Sequence, residues 1–395
     1  MTVSLSGVFD VTKKNVLITG GAGFIGLALT RLLLSAGHAV TILDNFSPQI
    51  HKTDALPHDI ADRVTLLRAD VRDVAVLREA VRDTQCIVHL AAETGTGQSM
   101  YRIGHYFDVN VQATAALLDV LQEDDAGGAL ETLIVASSRA IYGEGAYACP
   151  EHGTVYPDAR TADRMSAGQF DPTCPVCDGA VALVATSEKA PFSPSSFYGI
   201  TKQVQEQAML LFARTRGIRG FALRYQNVYG PGQSLQNPYT GILAVFSNLA
   251  RQGQDIEIYE DGLESRDFVY IDDIAAATAR CVEYEGEYVG ALNVGSGVGT
   301  DVLTVAQHVS DFFGSTGRIS VTGAYRLGDI RHNVAEITEL ERVLGPRPTT
   351  LFSDGLNAFL TWALAQEEHD KDAYSRSVGE LRRHNLLIGS QHSAD

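Results

Sequence analysis

The sequence predicts an α/β protein: a doubly wound parallel sheet followed by a smaller C-terminal region. Three observations carry this. Short β-branched runs alternate with helical stretches from residue 15 to residue 138, a glycine-rich turn separates the first run from the first helix, and the alternation lapses after "GPGQ" at 230–233. Strands of about five or six residues separated by helices imply right-handed crossovers, and therefore parallel neighbours.

The elements follow in order: "NVLITG", the helix "GLALTRLLLSAG", "HAVTILD", "RVTLLRAD", the helix "VAVLREAVRD", "CIVHLAA", a long helix near 107–123, and "LETLIVASS". Residues 145–190 break the rhythm with Pro, Gly, Asp and paired Cys, and read as an insertion. A helix over about 196–216 and the strand "GFALRYQNVYG" resume the theme. "GILAVFSNLARQG" reads as a helix of the smaller region, and "RDFVYIDDIAAATARCVE" with "ALNVGS" as a return to the first sheet. The expected division is a dinucleotide-binding domain over 12–225, carrying the insertion and regaining 267–298, and a substrate domain from 226–266 and 299–390. The polar end from Asp370 reads as an exposed helix and a frayed tail.

Composition narrows the function. A chain of 395 residues, 45% hydrophobic and 20% charged, can bury a large core. A net charge of −17 disfavours broad binding to a phosphate backbone, so nucleic acid is not an expected partner. The N-terminus lacks the apolar run of a signal peptide and no membrane-length apolar stretch occurs, so the expectation is a cytoplasmic protein with no membrane partner. Cys86 and Cys281 stand singly in apolar stretches and read as buried structural thiols.

"TGGAGFIG" places Gly20, Gly23 and Gly26 directly after the first strand and at the start of the first helix. The first permits the tight turn, the second lets backbone approach a pyrophosphate, and the third lets helix and sheet close together. Phe24 and Ile25 belong to the same turn. This is the Rossmann-type arrangement for a dinucleotide. Asp44, 18 residues beyond Gly26, ends the second strand where a carboxylate accepts from ribose hydroxyls and repels a 2′-phosphate. That favours NAD over NADP, with a plain turn residue as the alternative. Asn45, Asp70 and Val71 fall at the adenine side, and Leu90, Ala91, Ala92 and Thr94 bring small residues to the end of the fourth strand.

Tyr198 and Lys202 stand one helical turn apart, a spacing that on its own also describes surface decoration. "VASSRAIYG" presents Ser137 and Ser138 at the end of a core strand, where open α/β sheets bind ligands. A hydroxyl, a phenol and a lysine therefore converge on one cofactor.

The motifs "TGGAGFIG", "HLAA", "ASSRAIYG", "YGITK", "RYQNVYGPGQ" and "SRDFVYIDD", in that order, resemble the extended short-chain dehydrogenase/reductase family over most of the chain. The resemblance implies Tyr198 as general base, Lys202 as the residue that holds the nicotinamide ribose and lowers the tyrosine pKa, and Ser138 as the partner of the reacting oxygen. It also implies a nucleotide-sugar substrate, bound through Asn227, Arg266, Arg326 and Asp329, with Thr94, Ser138 and Arg139 as further substrate-binding candidates, and a homodimer formed through two flanking helices. Surface salt bridging is the alternative for Arg326 and Asp329. Dehydratases of this family carry Asp-Glu after the catalytic hydroxyl. Here Arg139 and Ala140 stand there, which leaves C4 epimerisation leading, with 4-ketoreduction or another oxidoreductase or decarboxylase chemistry behind it. A non-catalytic NAD-binding interaction protein is a third reading. "NVYGPGQSLQNPYTGIL" and the insertion resemble more narrowly dTDP-L-rhamnose 4-epimerases and their near relatives, acting on deoxythymidine-diphospho-6-deoxyhexoses.

Cys149, His152, Cys174 and Cys177 form two knuckles, 21 residues apart, with the ligand types and spacing of a tetrahedral zinc-knuckle-like site. A structural zinc, a disulfide and an empty remnant are the alternatives. The resembling epimerases carry a cysteine where His152 stands.

Overall fold

The computed structural model describes residues 12–51, 53–123, 128–235, 241–346, 349–367 and 373–389. Among them, β1 (Asn15–Thr19), β2 (Ala39–Asp44), β3 (Thr65–Arg68), β4 (Cys86–His89), β5 (Thr132–Ser138), β6 (Arg219–Tyr225) and β7 (Val289–Val294) form one sheet in the order β7-β6-β5-β4-β1-β2-β3. Every pairing in it is parallel. The winding reverses between β1 and β4, which opens a crevice at the C-terminal ends of those strands.

Successive residues of β1 face opposite cores. Val16 and Ile18 join Leu29, Leu33, Ile134 and Ile274 on one side of the sheet, while Leu17 joins Leu43, Ile87, Leu117 and Met209 on the other. β4 and β5 are buried throughout, which is why both read as continuous apolar runs. Helix α1 (Phe24–Ser35) fully buries Leu29 and Leu33 against the sheet, each contributing about 1.5–3 kcal/mol. Cys86 and Cys281 lie in this core, and burial pushes the Cys86 thiol up to about 12. Helix α2 (Phe197–Arg216) starts at Ser196, whose hydroxyl accepts from Gly199 N at 3.1 Å, and stops at Gly217 in the left-handed conformation.

"GFALRYQNVYG" is two strands. It breaks at Gln226, and Asn227–Tyr229 pairs with Phe268–Tyr270 in a second sheet that also holds Gly299–Asp301 and His332–Asn333. The expected return at 267 is therefore corrected: Ser265–Tyr270 belongs to the second sheet, and the first sheet is regained through α3 (Ile271–Glu283) and β7. Asp267 fastens this placement: its fully buried carboxylate accepts from Ser296 N at 2.7 Å and Gly297 N at 3.0 Å in the turn just past β7, and from Ala335 N at 3.1 Å beside the second sheet. A separate core of Leu243, Phe246, Phe268, Val305 and Phe359 packs behind this second sheet.

The insertion builds its own antiparallel sheet from Tyr147–Cys149, Gly153–Val155 and Ala182–Leu183. Arg160 ties it down through Glu144 at 2.9 Å, Glu260 at 2.7 and 2.9 Å, and the Asp329 carbonyl at 3.0 Å.

The C-terminal expectation also needs correction. Helix Ala373–Arg383 is amphipathic and buries Ser377 and Leu381, and Leu387–Ile388 pairs antiparallel with Tyr325–Arg326, so the segment is docked rather than exposed. The tail from residue 390 lies outside the described residues. Among the described residues no helix is long and apolar enough to cross a membrane.

Candidate active site

One cleft of about 820 Å³ follows the C-terminal ends of the central strands, and every cofactor and substrate residue named from the sequence lines it. At the cofactor end the glycines are required by space. A Cβ on Gly20, whose φ is +70°, would lie 2.8 Å from Ala91 N, and one on Gly26 would lie 2.5 Å from Gly21 O. No side chain caps α1, so its first N–H groups remain available to an anion. Asp44 accepts from Ala22 N at 3.0 Å and Phe46 N at 2.8 Å, which fastens the glycine turn to β2. His51 approaches its other side at 3.4 Å, a neighbour that sequence spacing does not reveal. Asp70 is held far below the usual carboxylate range, first by hydrogen bonds from Arg72, with help from Asn45. Phe24, Ile25, Val71, Leu90, Ala91 and Ala92 complete the walls. The turn, the uncapped helix and the strand-end carboxylate together fit a dinucleotide.

Strand alternation decides between the two serines. Ser137 donates to Glu206 at 2.5 Å on one face, whereas Ser138 caps the one-turn helix Arg139–Ile141 by accepting from Ala140 N and lines the cleft with Tyr198. Lys202, one turn along α2, donates to Ala136 O at 2.9 Å, with its ammonium 5.9 Å from the Tyr198 ring centre. Burial brings Lys202 down to about 7. Burial also raises the Tyr198 phenol, and what opposes it is the Ser138 hydrogen bond and the Arg139 charge. Burial and the nearby Arg266 bring Arg139 down to about 10, still a cation at neutral pH.

The loop after β4 is pinned beside Tyr198. Asn110, fully buried, accepts from Glu93 N at 2.7 Å and donates to Thr201 Oγ1 at 2.9 Å, and Tyr106 donates to Thr94 O at 2.7 Å. Asn110 lies in a π-helical turn, Phe107–Gln112, whose extra residue hides it from helical periodicity.

At the substrate end Asn227 Oδ1 is buried without a hydrogen-bond partner, as an atom awaiting a donor would be. Arg266 donates to the carbonyls of Ser265, Ile330 and Arg331, and Arg326 donates to Asp329 at 2.8 Å. Against burial, which raises it, Asp329 is held low by Arg326, Arg266, Arg160 and Arg139. Arg139, Arg266 and Arg326 line the cleft beside Asp329, a local gathering of guanidinium groups in a chain of net charge −17 that suits a diphosphate, while Arg160 is committed to Glu144 and Glu260. Arg326 and Asp329 are thus both an ion pair and part of the cleft. Tyr259, Tyr374, Val378 and Leu381 form a further wall, and the two tyrosine hydroxyls lie 3.2 Å apart. Nothing in the sequence points to these residues, because three of the four come from the C-terminal helix.

Cys149, His152, Cys174 and Cys177 converge in the insertion, their ligand atoms all within 4.8 Å of one another. Cys149 Sγ lies 3.5 Å from His152 Nδ1 and 3.8 Å from Cys177 Sγ, and Cys174 Sγ lies 3.6 Å from His152 Nδ1. A tetrahedron with arms of about 2.3 Å has edges of about 3.8 Å, so this donor set fits zinc. The three cysteines form no disulfide.

Residues 16–162 and 175–295 match the family described as the NAD dependent epimerase/dehydratase family. The chain belongs to that family. The internal gap in the match, 163–174, lies inside the insertion, and residues from 296 onward fall outside the match. Among curated relatives, the dTDP-L-rhamnose 4-epimerase of Burkholderia thailandensis is 38% identical over 90% of this chain and 96% of its own length. A putative UDP-glucose 4-epimerase of Methanocaldococcus jannaschii is 27% identical over 88% and 97%. Of solved structures, the Thermus thermophilus UDP-glucose 4-epimerase in complex with NAD superposes with a TM-score of 0.69 at 26% identity, over 89% of this chain and all of that one. The UDP-N-acetylglucosamine 4-epimerase of Methanobrevibacter ruminantium gives 0.71 at 28% identity, over 90% and 100%.

Proposed function

We propose that this enzyme is an NAD-dependent sugar-nucleotide 4-epimerase that inverts C4 of a deoxythymidine-diphospho-6-deoxyhexose through a transient 4-keto sugar. The observation that carries the reading is that Ser138, Tyr198 and Lys202 line one cleft, with Arg139 and Ala140 following Ser138 where an eliminating enzyme needs a carboxyl pair. Tyr198 as phenolate takes the O4 proton while Ser138 holds that oxygen, and the same proton returns when the C4–H bond is remade on the opposite face. Bound oxidised NAD supplies a reversible two-electron acceptor at this carbon. Lys202 holds the cofactor ribose, and Asn227, Arg266, Arg326 and Asp329 hold the diphosphate while the sugar turns. The cycle has no net redox change, so no second electron carrier is required. The thymidine and 6-deoxyhexose assignment is supported by the 38% identical Burkholderia relative.

The same reading includes a structural zinc on Cys149, His152, Cys174 and Cys177. Four protein ligands leave no open position, so the metal organises the insertion and takes no part in catalysis. It also includes a cytoplasmic homodimer paired through α2 and the helix Ala113–Gln122.

The test is incubation with a panel of nucleotide sugars, without added cofactor, with C4 inversion read by proton NMR. Inversion at constant NAD content is the expected result. Stoichiometric consumption of NADH would establish a 4-ketoreductase instead, and turnover persisting in Tyr198→Phe would remove the assigned base.

A further inference from the structure

Arg160 belongs to the loop between the two knuckles of the insertion, yet most of its partners lie outside that loop. Its side chain is 3% exposed. Nε donates to Glu144 at 2.9 Å, Nη1 to the Phe170 carbonyl at 3.0 Å and to Glu260 at 2.7 Å, and Nη2 to Glu260 at 2.9 Å and to the Asp329 carbonyl at 3.0 Å. Every N–H group of the guanidinium is therefore matched, as a buried arginine requires. Its hold on Glu260 is bidentate, which fixes orientation as well as charge.

Glu260 and Asp329 both line the cleft. Asp329 closes the turn 326–329: its backbone N–H donates to Arg326 O at 3.3 Å, and its carboxylate accepts from Arg326 Nε at 2.8 Å. Ser195, just before α2, donates to Gly328 O at 2.8 Å, so two side chains grip this turn from outside. Glu260 follows Tyr259, whose ring centre lies 5.4 Å from the Arg326 guanidinium carbon. The φ of Glu260 is +50°, in the left-handed region that a residue with a Cβ seldom adopts unless its surroundings hold it there. The fork of Arg160 and Arg331 Nη1, at 3.1 Å, hold it. One guanidinium thus fixes the 326–329 turn and the backbone beside Tyr259 relative to each other.

We propose that Arg160 is a positioning residue for the diphosphate site: from the insertion it sets the 326–329 turn against the Tyr259 wall, and so sets how tightly the enzyme holds a nucleoside diphosphate. The inference rests on the reading of Arg326 and Asp329 as diphosphate-binding residues. None of the Arg160 hydrogen bonds goes to Ser138, Tyr198 or Lys202, so it acts on binding and leaves the chemical step alone.

The experiment titrates NAD-loaded protein with deoxythymidine diphosphate and with uridine diphosphate by calorimetry, and follows amide hydrogen exchange of residues 325–331 by mass spectrometry. Arg160→Met is expected to raise the diphosphate Kd and the KM for the nucleotide sugar about tenfold, with kcat and NAD content within about twofold of the parent. Exchange in 325–331 quickens with it. Arg160→Lys keeps a charge beside Glu144 and Glu260 but lacks the planar fork, so it folds and shows a smaller rise in Kd. Arg164→Ala is the control: it removes the 2.7 Å pair with Asp178 inside the insertion and should leave Kd unchanged. A merely structural role for Arg160 would lower the unfolding midpoint without separating KM from kcat. A Kd unchanged in both Arg160 variants, a loss confined to kcat, or an equal rise in Arg164→Ala would overturn the proposal and leave the diphosphate reading intact. If Arg160→Met does not fold, Arg160→Lys decides by the same readouts. Parent protein that binds neither nucleoside diphosphate would remove that reading, and the proposal with it.

Discussion

Glu206→Ala tests whether one buried ion pair pins the catalytic helix to the sheet. Glu206 lies one turn beyond Lys202 on α2 and is 2% exposed. Its carboxylate accepts from Ser137 of β5 at 2.5 Å and from Arg224 Nε of β6 at 3.1 and 3.2 Å. Arg224 is equally withdrawn and keeps two neutral acceptors, the Tyr142 hydroxyl at 2.7 Å and the Glu188 carbonyl at 2.9 Å. Alanine therefore leaves a buried guanidinium without its counter-charge, a loss of about 3–5 kcal/mol against a typical total stability of about 5–15 kcal/mol. The double variant Glu206→Ala/Arg224→Met should recover most of that loss, because no charge remains unpaired. The assay is urea unfolding followed by far-UV circular dichroism on the single and double variants. A single variant within about 1 kcal/mol of the parent, or a double variant no more stable than the single, would refute the reasoning.

Asp44→Ala should weaken NAD binding about tenfold or more in titration calorimetry, since the carboxylate fastens the glycine turn through Ala22 N and Phe46 N and in the proposed reading accepts from the ribose hydroxyls. Glu264 carries a pH dependence of stability. Burial raises its carboxyl to about 7, with Arg266 and Arg331 opposing and Glu260 adding to the rise. The folded chain then binds a proton that the unfolded chain has released, so stability falls as pH rises from about 4.5 to about 7, and Glu264→Gln should flatten unfolding midpoints across that window. Cys174→Ser should lower bound zinc from about one per chain and expose the insertion to proteolysis before NAD retention changes; metal analysis of tag-free parent protein finding no zinc would exclude the site.

The first sheet was legible because its rules are local. "NVLITG" with "TGGAGFIG" carries a strand, a turn and a helix start in twelve residues, and the space around Gly20 and Gly26 shows why no other residue serves. Tyr198 and Lys202 share a face of α2 by spacing alone. The break at Gln226 was not legible, because "GFALRYQNVYG" has uniform strand character and only the competing partner Phe268–Tyr270 divides it. Asn110 was hidden by the π turn, and the wall of Tyr374, Val378 and Leu381 by sequence distance.

Sequence by itself determined the family of fold, the glycine cradle, the candidate residues Ser138, Tyr198 and Lys202, and the two cysteine knuckles, all of which are patterns within a turn, a strand or one helical repeat. Tertiary structure alone decided how the two serines divide and that the C-terminal helix lines the cleft. Those depend on where a side chain finds its partner. Ser137 finds the Glu206 carboxylate and Ser138 the Ala140 amide, and no periodicity in a chain records that difference.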